Sequence, residues 1–156
     1  MSVNLPPFQA LLEEHRTDVY RFLMATAGPS EADDAFQETC MAALRAYPRL
    51  RRADNLRAWL FRIAQNKSID AHRARGRRAV PVAVVPEAAS SAPDEDPDLW
   101  ARVRELPAKQ RTAVYCRSVL AMPYDELASL LDSSEEAARR NVHEGLKRLR
   151  EELTDG

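Results

Sequence analysis

The chain has 156 residues, 45% hydrophobic and 30% charged, which suits one compact domain or two small ones and excludes most large enzymes. A net charge of −1 conceals four unlike segments: residues 1–44 carry −5, residues 45–78 carry +9, residues 79–98 carry −5, and residues 99–156 balance. No apolar run approaches the roughly 18 residues of a membrane span, and the first residues form neither a basic nor an apolar leader, so a cytoplasmic location is expected. Cys40 and Cys116 lie far apart without a CxxC or CxxH companion, and Gly28, Gly76, Gly145 and Gly156 are scattered. Neither a disulfide framework, a zinc site nor a phosphate-cradling loop is signalled.

Phe8, Leu11, Leu12, Val19, Phe22 and Leu23 recur at helical spacing between Pro6-Pro7 and Gly28-Pro29, predicting a first helix that ends near Ala27. Ser30 followed by Asp33 reads as a weak capping box for a second helix, with Phe36, Cys40, Leu44 and Tyr47 as its apolar stripe up to Pro48. Asp54 is the expected cap of a third helix running to about Arg75, with Leu56, Trp59, Leu60, Ile63 and Ala64 inward. Trp59 reads as core rather than as a stacking platform. These three helices predict one small bundle.

Residues 79–97, rich in Pro, Ala, Ser and acids, read as a flexible linker in which Val82–Val85 is extended and unpaired. Beyond it, helices are expected at about 98–105, 107–120, 124–131 and 134–153, punctuated by Pro107, Pro123 and Asp132-Ser133-Ser134. Tyr124–Leu131, with small Ala128 where two helices approach, followed by a helix capped by Ser134, has the form of a helix-turn-helix. The expected fold class is all-α, two small helical domains joined by a flexible linker.

The local excess of positive charge at 45–78 has the density that phosphate neutralisation requires. Arg62, Asn66 and Arg73, at steps of four and seven, share one helix side away from Trp59, Leu60 and Ile63. Arginines there suit phosphates, and an Asn offers both donor and acceptor to a base edge. His15, His72 and His143 lack metal-ligand spacing, no nucleophile set is apparent, and Glu13-Glu14 and Asp33-Asp34 sit on acidic helical faces. The expectation is a binding protein without a catalytic site, metal or cofactor.

Two blocks, Glu31–Thr39 and Asn55–Asp70, and three further ones, Leu106–Arg111, Tyr124–Ala128 and Leu146–Arg150, follow one another at a spacing that resembles the bacterial RNA polymerase sigma factors of the extracytoplasmic-function (ECF) group. The resemblance covers nearly the whole chain. It implies a sigma domain two at 1–78 (a three-helix bundle), a linker at 79–97 and a sigma domain four at 98–156. It implies a transcription initiation factor that binds core RNA polymerase, directs it to promoter DNA and opens the minus-ten region. Asp33, Asp34, Gln37 and Glu38 would dock on the polymerase. Arg49, Arg51, Arg52, Asn55, Arg57, Arg62, Asn66, Lys67 and Arg73 would hold minus-ten DNA, the turn from Arg49 to Asn55 receiving an unstacked base. Arg139, Arg140, Asn141 and His143 would face the minus-thirty-five element, and an anti-sigma factor is a further implied partner.

The recognition helix departs from the family pattern: Asp132 stands for the usual glycine, Ala137-Ala138 for Thr-Val, Asn141 for an arginine, and Glu144 at the next basic position. Asp tolerates a left-handed turn, so the fold is expected to survive. An acid facing DNA repels phosphate, yet Glu also accepts from a cytosine amino group, so weaker contact and altered specificity are both open. A sigma-like protein that titrates polymerase or an anti-sigma factor is the alternative function, and an ordinary helix-turn-helix repressor would not need the first domain.

Overall fold

The computed structural model describes residues 5–51, 54–78 and 96–155, and the regular elements in them are helices: α1 (Phe8–Ala27), α2 (Pro29–Ala46), a 3-10 turn (Tyr47–Arg49), α3 (Leu56–Arg78), α4 (Pro97–Glu105), α5 (Ala108–Ser118), α6 (Tyr124–Leu131) and α7 (Glu135–Asp155). Val82–Val85 and residues 79–95 of the expected linker lie outside the described residues. Pro97 belongs to α4, where Asp96 caps the helix by accepting from the Asp98 N–H at 3.0 Å.

Glycine and proline set the first corner. Gly28 at φ 99° turns the chain where a Cβ would be strained, and Pro29 occupies the first helical position, where a missing N–H costs nothing. The Gly28 carbonyl accepts from Glu31 and Ala32, so α2 starts at Pro29 without the Ser30 cap that its sequence suggests. At the start of α3, the carbonyl of Asn55, itself at φ 58°, receives the Trp59 N–H, so Asn55 rather than Asp54 holds the boundary. The helix also runs on to Arg78, past the expected end near Arg75.

The buried face of α2 corrects another expectation. Ala32, Ala35, Thr39 and Ala43 are buried, whereas Leu44 is 57% exposed and Met41 55%. Small residues let α2 lie close against its neighbours, and an apolar stripe judged by side-chain size alone is rotated from the true seam. In α3, Ala58, Leu60, Phe61 and Ala64 are buried, with Gln65 and Ser68 beside them. Ser68 donates to Thr26 Oγ1 at 2.9 Å, and Thr26 donates on to the Phe22 carbonyl at 2.8 Å, so these buried hydroxyls are satisfied.

The helix-turn-helix follows its sequence closely. Asp132 ends α6 in the left-handed conformation, φ 53° and ψ 52°, and the N–H of Ser133 reaches back to the Ala128 carbonyl at 2.9 Å. Ser134 Oγ accepts from Ala137 N–H at 3.1 Å, the expected cap of α7. Buried Ala138, Val142, Gly145 and Leu149 seat α7 inward. Buried Arg111 donates to the carbonyls of Arg104 and Leu106, tying α5 to the C-terminus of α4.

The C-terminal helices pack against the N-terminal three. One continuous buried cluster runs from Val19, Phe22 and Leu60 through Tyr115, Cys116 and Leu127. The Phe22 ring meets Phe61 at 5.4 Å and Tyr115 at 5.5 Å, both edge-on. Full burial of an aromatic side chain is worth about 1.5–3 kcal/mol, so the contact between the two halves has a true core. Polar bonds surround it: Arg57 to Glu126, Arg62 to the Ser129 carbonyl, and Arg104 to the Ala25 carbonyl at 3.4 Å.

Candidate functional site

Three helix faces carry the residues singled out by sequence. On α2, Asp34, Gln37 and Glu38 are exposed, on the side away from the buried alanines. Asp33 is exposed too but accepts a 2.8 Å hydrogen bond from the Tyr20 hydroxyl, which orients it toward α1 and raises the Tyr20 pKa through that bond, then through burial. The same outer side continues into Met41 and Leu44. Sequence reading missed this apolar half because it assigned Leu44 to the core; acids and exposed large apolar residues at helical spacing on one helix are the signal that would have found it.

On α3, Arg62, Asn66 and Arg73 all lie on the exposed side, as their spacing predicts, with Lys67 half-buried and Asp70 exposed among them. Arg49 and Arg51 are exposed in the turn leading to α3, and Asn55 is exposed at its entry; Arg52 lies outside the described residues. Arg57 stands apart from this group. Its Nε and Nη2 donate to the two Glu126 carboxylate oxygens at 2.6 and 2.7 Å, a bidentate pair across the halves of the molecule. The hydrogen bond that Arg57 donates to Glu126 leads the causes that raise the Arg57 pKa. Arg62 also reaches across, donating to the Ser129 carbonyl. Cys116 is buried beside this pair, and burial pushes its thiol pKa strongly upward.

On α7, Arg139, Arg140 and His143 are exposed, and so is Glu144. Arg139 lies over the Tyr124 ring at 4.6 Å and within 3.9 Å of Glu135, and Arg117 lies over the same ring at 4.2 Å. Tyr124 therefore holds the Arg139 guanidinium from the first helix of the motif, a contact no sequence spacing announced. Asn141 is half-buried and its Nδ2 donates to the Ala137 carbonyl at 3.1 Å, a bond that uses one of its two amide N–H groups and leaves its side-chain oxygen uncommitted by it.

Among the described residues no group of His, Cys, Asp and Glu could hold a metal ion, and no helix is long and apolar enough to cross a membrane. Among the described residues, a helix face rich in exposed arginine and a capped helix-turn-helix have the form of a nucleic-acid-binding protein, and a separate helix carries an exposed acidic face. Residues 11–78 match the Sigma-70 region 2 family and residues 98–149 the Sigma-70 region 4 family. The chain is 38% identical over 159 residues to "ECF RNA polymerase sigma factor SigD" of Mycobacterium tuberculosis (strain ATCC 25618 / H37Rv), covering 92% of this chain and 75% of that protein. It is 29% identical over 161 residues to "RNA polymerase sigma factor CarQ" of Myxococcus xanthus, covering 94% and 88%. In fold it is similar to the sigma factor RpoE crystallised with the anti-sigma factor NepR from Bartonella quintana, at TM-score 0.74 and 24% identity, covering 94% of this chain and 96% of that one. The chain belongs to the ECF RNA polymerase sigma factors, with sigma-70 regions 2 and 4. It directs RNA polymerase to promoters and works by binding, not by catalysis.

Proposed function

We propose that the outer side of α2, Asp34, Gln37 and Glu38 with the oriented Asp33, docks on core polymerase, and that α3 and α7 read the two parts of the promoter. The observation that carries this reading is the alignment of Arg62, Asn66 and Arg73 on one exposed side of a helix in the +9 segment. Arginines neutralise phosphates and release their counterions, which supplies affinity at any sequence. Asn66 supplies base-edge discrimination.

Opening of the minus-ten region uses no covalent step. A base pulled from the stack must find a site that holds it, and the stretch of sequence from Arg49 to Asn55 carries Arg49, Arg51 and Arg52, with the described backbone turning into the left-handed region at Asn55. Lys67 adds charge beside this path. The units are read as 1–78 and 98–156 joined by 79–97, and the protein acts in the cytoplasm. Arg139, Arg140, Asn141 and His143 contact the minus-thirty-five element, with Glu144 selecting against phosphate or for a cytosine amino group. An anti-sigma protein is a further partner, as for the relatives crystallised with NepR and with the cytosolic domain of CnrY.

Run-off transcription on fragmented genomic DNA with purified core polymerase, with and without this chain, tests the reading. New transcript starts that share an upstream two-part motif are expected. A stable complex with core polymerase that yields no new starts would overturn promoter direction by these faces, and would fit a protein that only titrates polymerase.

A further inference from the structure

Tyr124 begins the first helix of the helix-turn-helix, and α5, α6 and α7 meet on its ring. Arg117, at the end of α5, donates from Nη1 to the Met122 carbonyl at 3.0 Å and lies over the ring at 4.2 Å; Arg139, on α7, lies over it at 4.6 Å. The ring is half-buried and packs against the main core cluster, so it is a seated surface for these cations. Arg139 stays exposed all the same, and its other neighbour, Glu135, forms a 3.9 Å ion pair between two exposed side chains, which orders a guanidinium little. The ring is therefore the group that restricts Arg139. Among the described residues, no ring lies over Arg140 or His143, the other exposed basic residues of this stretch of α7.

A phosphate oxygen accepts a cation from many directions, whereas the O6 and N7 acceptors of guanine ask the planar fork of an arginine to arrive in one orientation. A long side chain loses rotamer freedom when it is fixed in that way, and one already stacked on a seated ring has lost part of that freedom before DNA arrives. We infer that Tyr124 is a positioning residue for minus-thirty-five recognition: its ring holds the Arg139 guanidinium in the orientation for a guanine edge, with Arg117, tied to the Met122 carbonyl, setting the ring. This role rests on the reading of α7 as the minus-thirty-five helix. Its consequence is a division of labour in which Arg139 specifies a base while Arg140 and His143 supply attraction that is indifferent to sequence.

The test uses the full chain with purified core polymerase and a duplex DNA library of random sequence, the bound fraction being sequenced to give the base preference at each position. Arg139→Ala is expected to abolish a guanine preference at its own position in the upstream element. Tyr124→Leu keeps an apolar side chain on the core and removes the ring. It is expected to weaken the preference at that same position by about two- to fivefold, the ordinary worth of an exposed cation–π contact, and to leave the other positions as in wild type. Tyr124→Phe keeps the ring and is expected to match wild type. Tyr124→Leu combined with Arg139→Ala is expected to lose no more than Arg139→Ala alone, because a ring that acts through one arginine then has nothing left to position. Equal losses in Tyr124→Phe and Tyr124→Leu overturn the inference by making the hydroxyl the active group. A uniform fall across all positions in Tyr124→Leu overturns it by making the residue structural, and an unchanged preference overturns it outright. An Arg139→Ala chain that keeps every preference overturns the underlying reading of α7, since Arg139 then reads no base. If Tyr124→Leu loses helix by circular dichroism, pentafluorophenylalanine at position 124 decides, because it keeps the ring shape and withdraws the negative charge of the ring face. A weakened preference at the Arg139 position then supports the stacking role, and a full one refutes it.

Discussion

Gly145→Ala is the sharpest available probe of how the recognition helix is seated. A Cβ at Gly145 would fall 2.5 Å from Val114 Cγ2 and 3.4 Å from both Cβ and the carbonyl oxygen of Gln110. Carbon atoms pack at about 3.5–4.0 Å, so one contact is short by about an ångström, and Val114 is a buried, β-branched side chain with little room to rotate. Overpacking of this kind costs about 1–3 kcal/mol, while replacing glycine by alanine within a helix returns about 1 kcal/mol. The net loss is about 1 kcal/mol, which lowers the melting temperature by roughly 2–4 °C for a chain of this size. Urea titration followed by circular dichroism measures it. In a Val114→Ala background the obstructing methyl is gone, so Gly145→Ala should become stabilising by about 1 kcal/mol, the helix propensity alone. The same loss in both backgrounds would refute the claim that Val114 is what Gly145 accommodates, and an unchanged single variant would refute the tight approach itself.

Ser134→Ala removes the acceptor for the Ala137 N–H and should cost about 1 kcal/mol in the same titration; a change within error would mean that solvent caps α7 equally well. Asp132→Gly relieves the left-handed conformation and should stabilise by about 0.5 kcal/mol, a gain seen as a later urea midpoint. Cys116 has a raised pKa in the folded chain, so its contribution to stability is complete below the usual thiol value of 9.0 and is lost as pH climbs above it. Stability should therefore fall above pH 9 with a limiting slope of about 1.4 kcal/mol per pH unit from this thiol, and Cys116→Ala should flatten the curve; equal slopes in the two proteins would dismiss the thiol as the cause. Arg73→Ala should lower the salt dependence of promoter binding by about one counterion at every sequence tested, and a slope equal to wild type would remove Arg73 from the phosphate contacts.

Helix existence was readable because proline, glycine and capping residues punctuate this chain sharply. Pro97, Pro107 and Pro123 each stand at or beside the start of a helix, and the turn through Asp132 to Ser134 has the geometry its residues favour. The spacing of Arg62, Asn66 and Arg73 also transferred directly, since a straight helix keeps residues four and seven apart on one side. What failed was any inference that needed a neighbour. Leu44 was assigned inward because large apolar residues define a stripe, yet alanines make the α2 seam, and they give no strong signal in a hydrophobic pattern. Phe61 lies off the expected α3 stripe and is fully buried among the rings of the shared core. Glu126 and Arg57 are 69 residues apart, and their pairing belongs to the tertiary arrangement alone.

Arg111 bears on how this chain can be divided. Its guanidinium is a fastener that crosses the corner between α4 and α5, gripping the last carbonyls of the preceding helix from beneath. Burial pulls its pKa down, but no side-chain acid answers its charge through the bonds it makes; the answer comes from the negative end of α4. A fragment opened at Pro107 would therefore keep the helix-turn-helix residues and discard the acceptors that make the buried cation tolerable. A cut that spares these bonds falls before Asp96, which caps α4, and the helix-turn-helix depends on α4 for the carbonyls that hold Arg111.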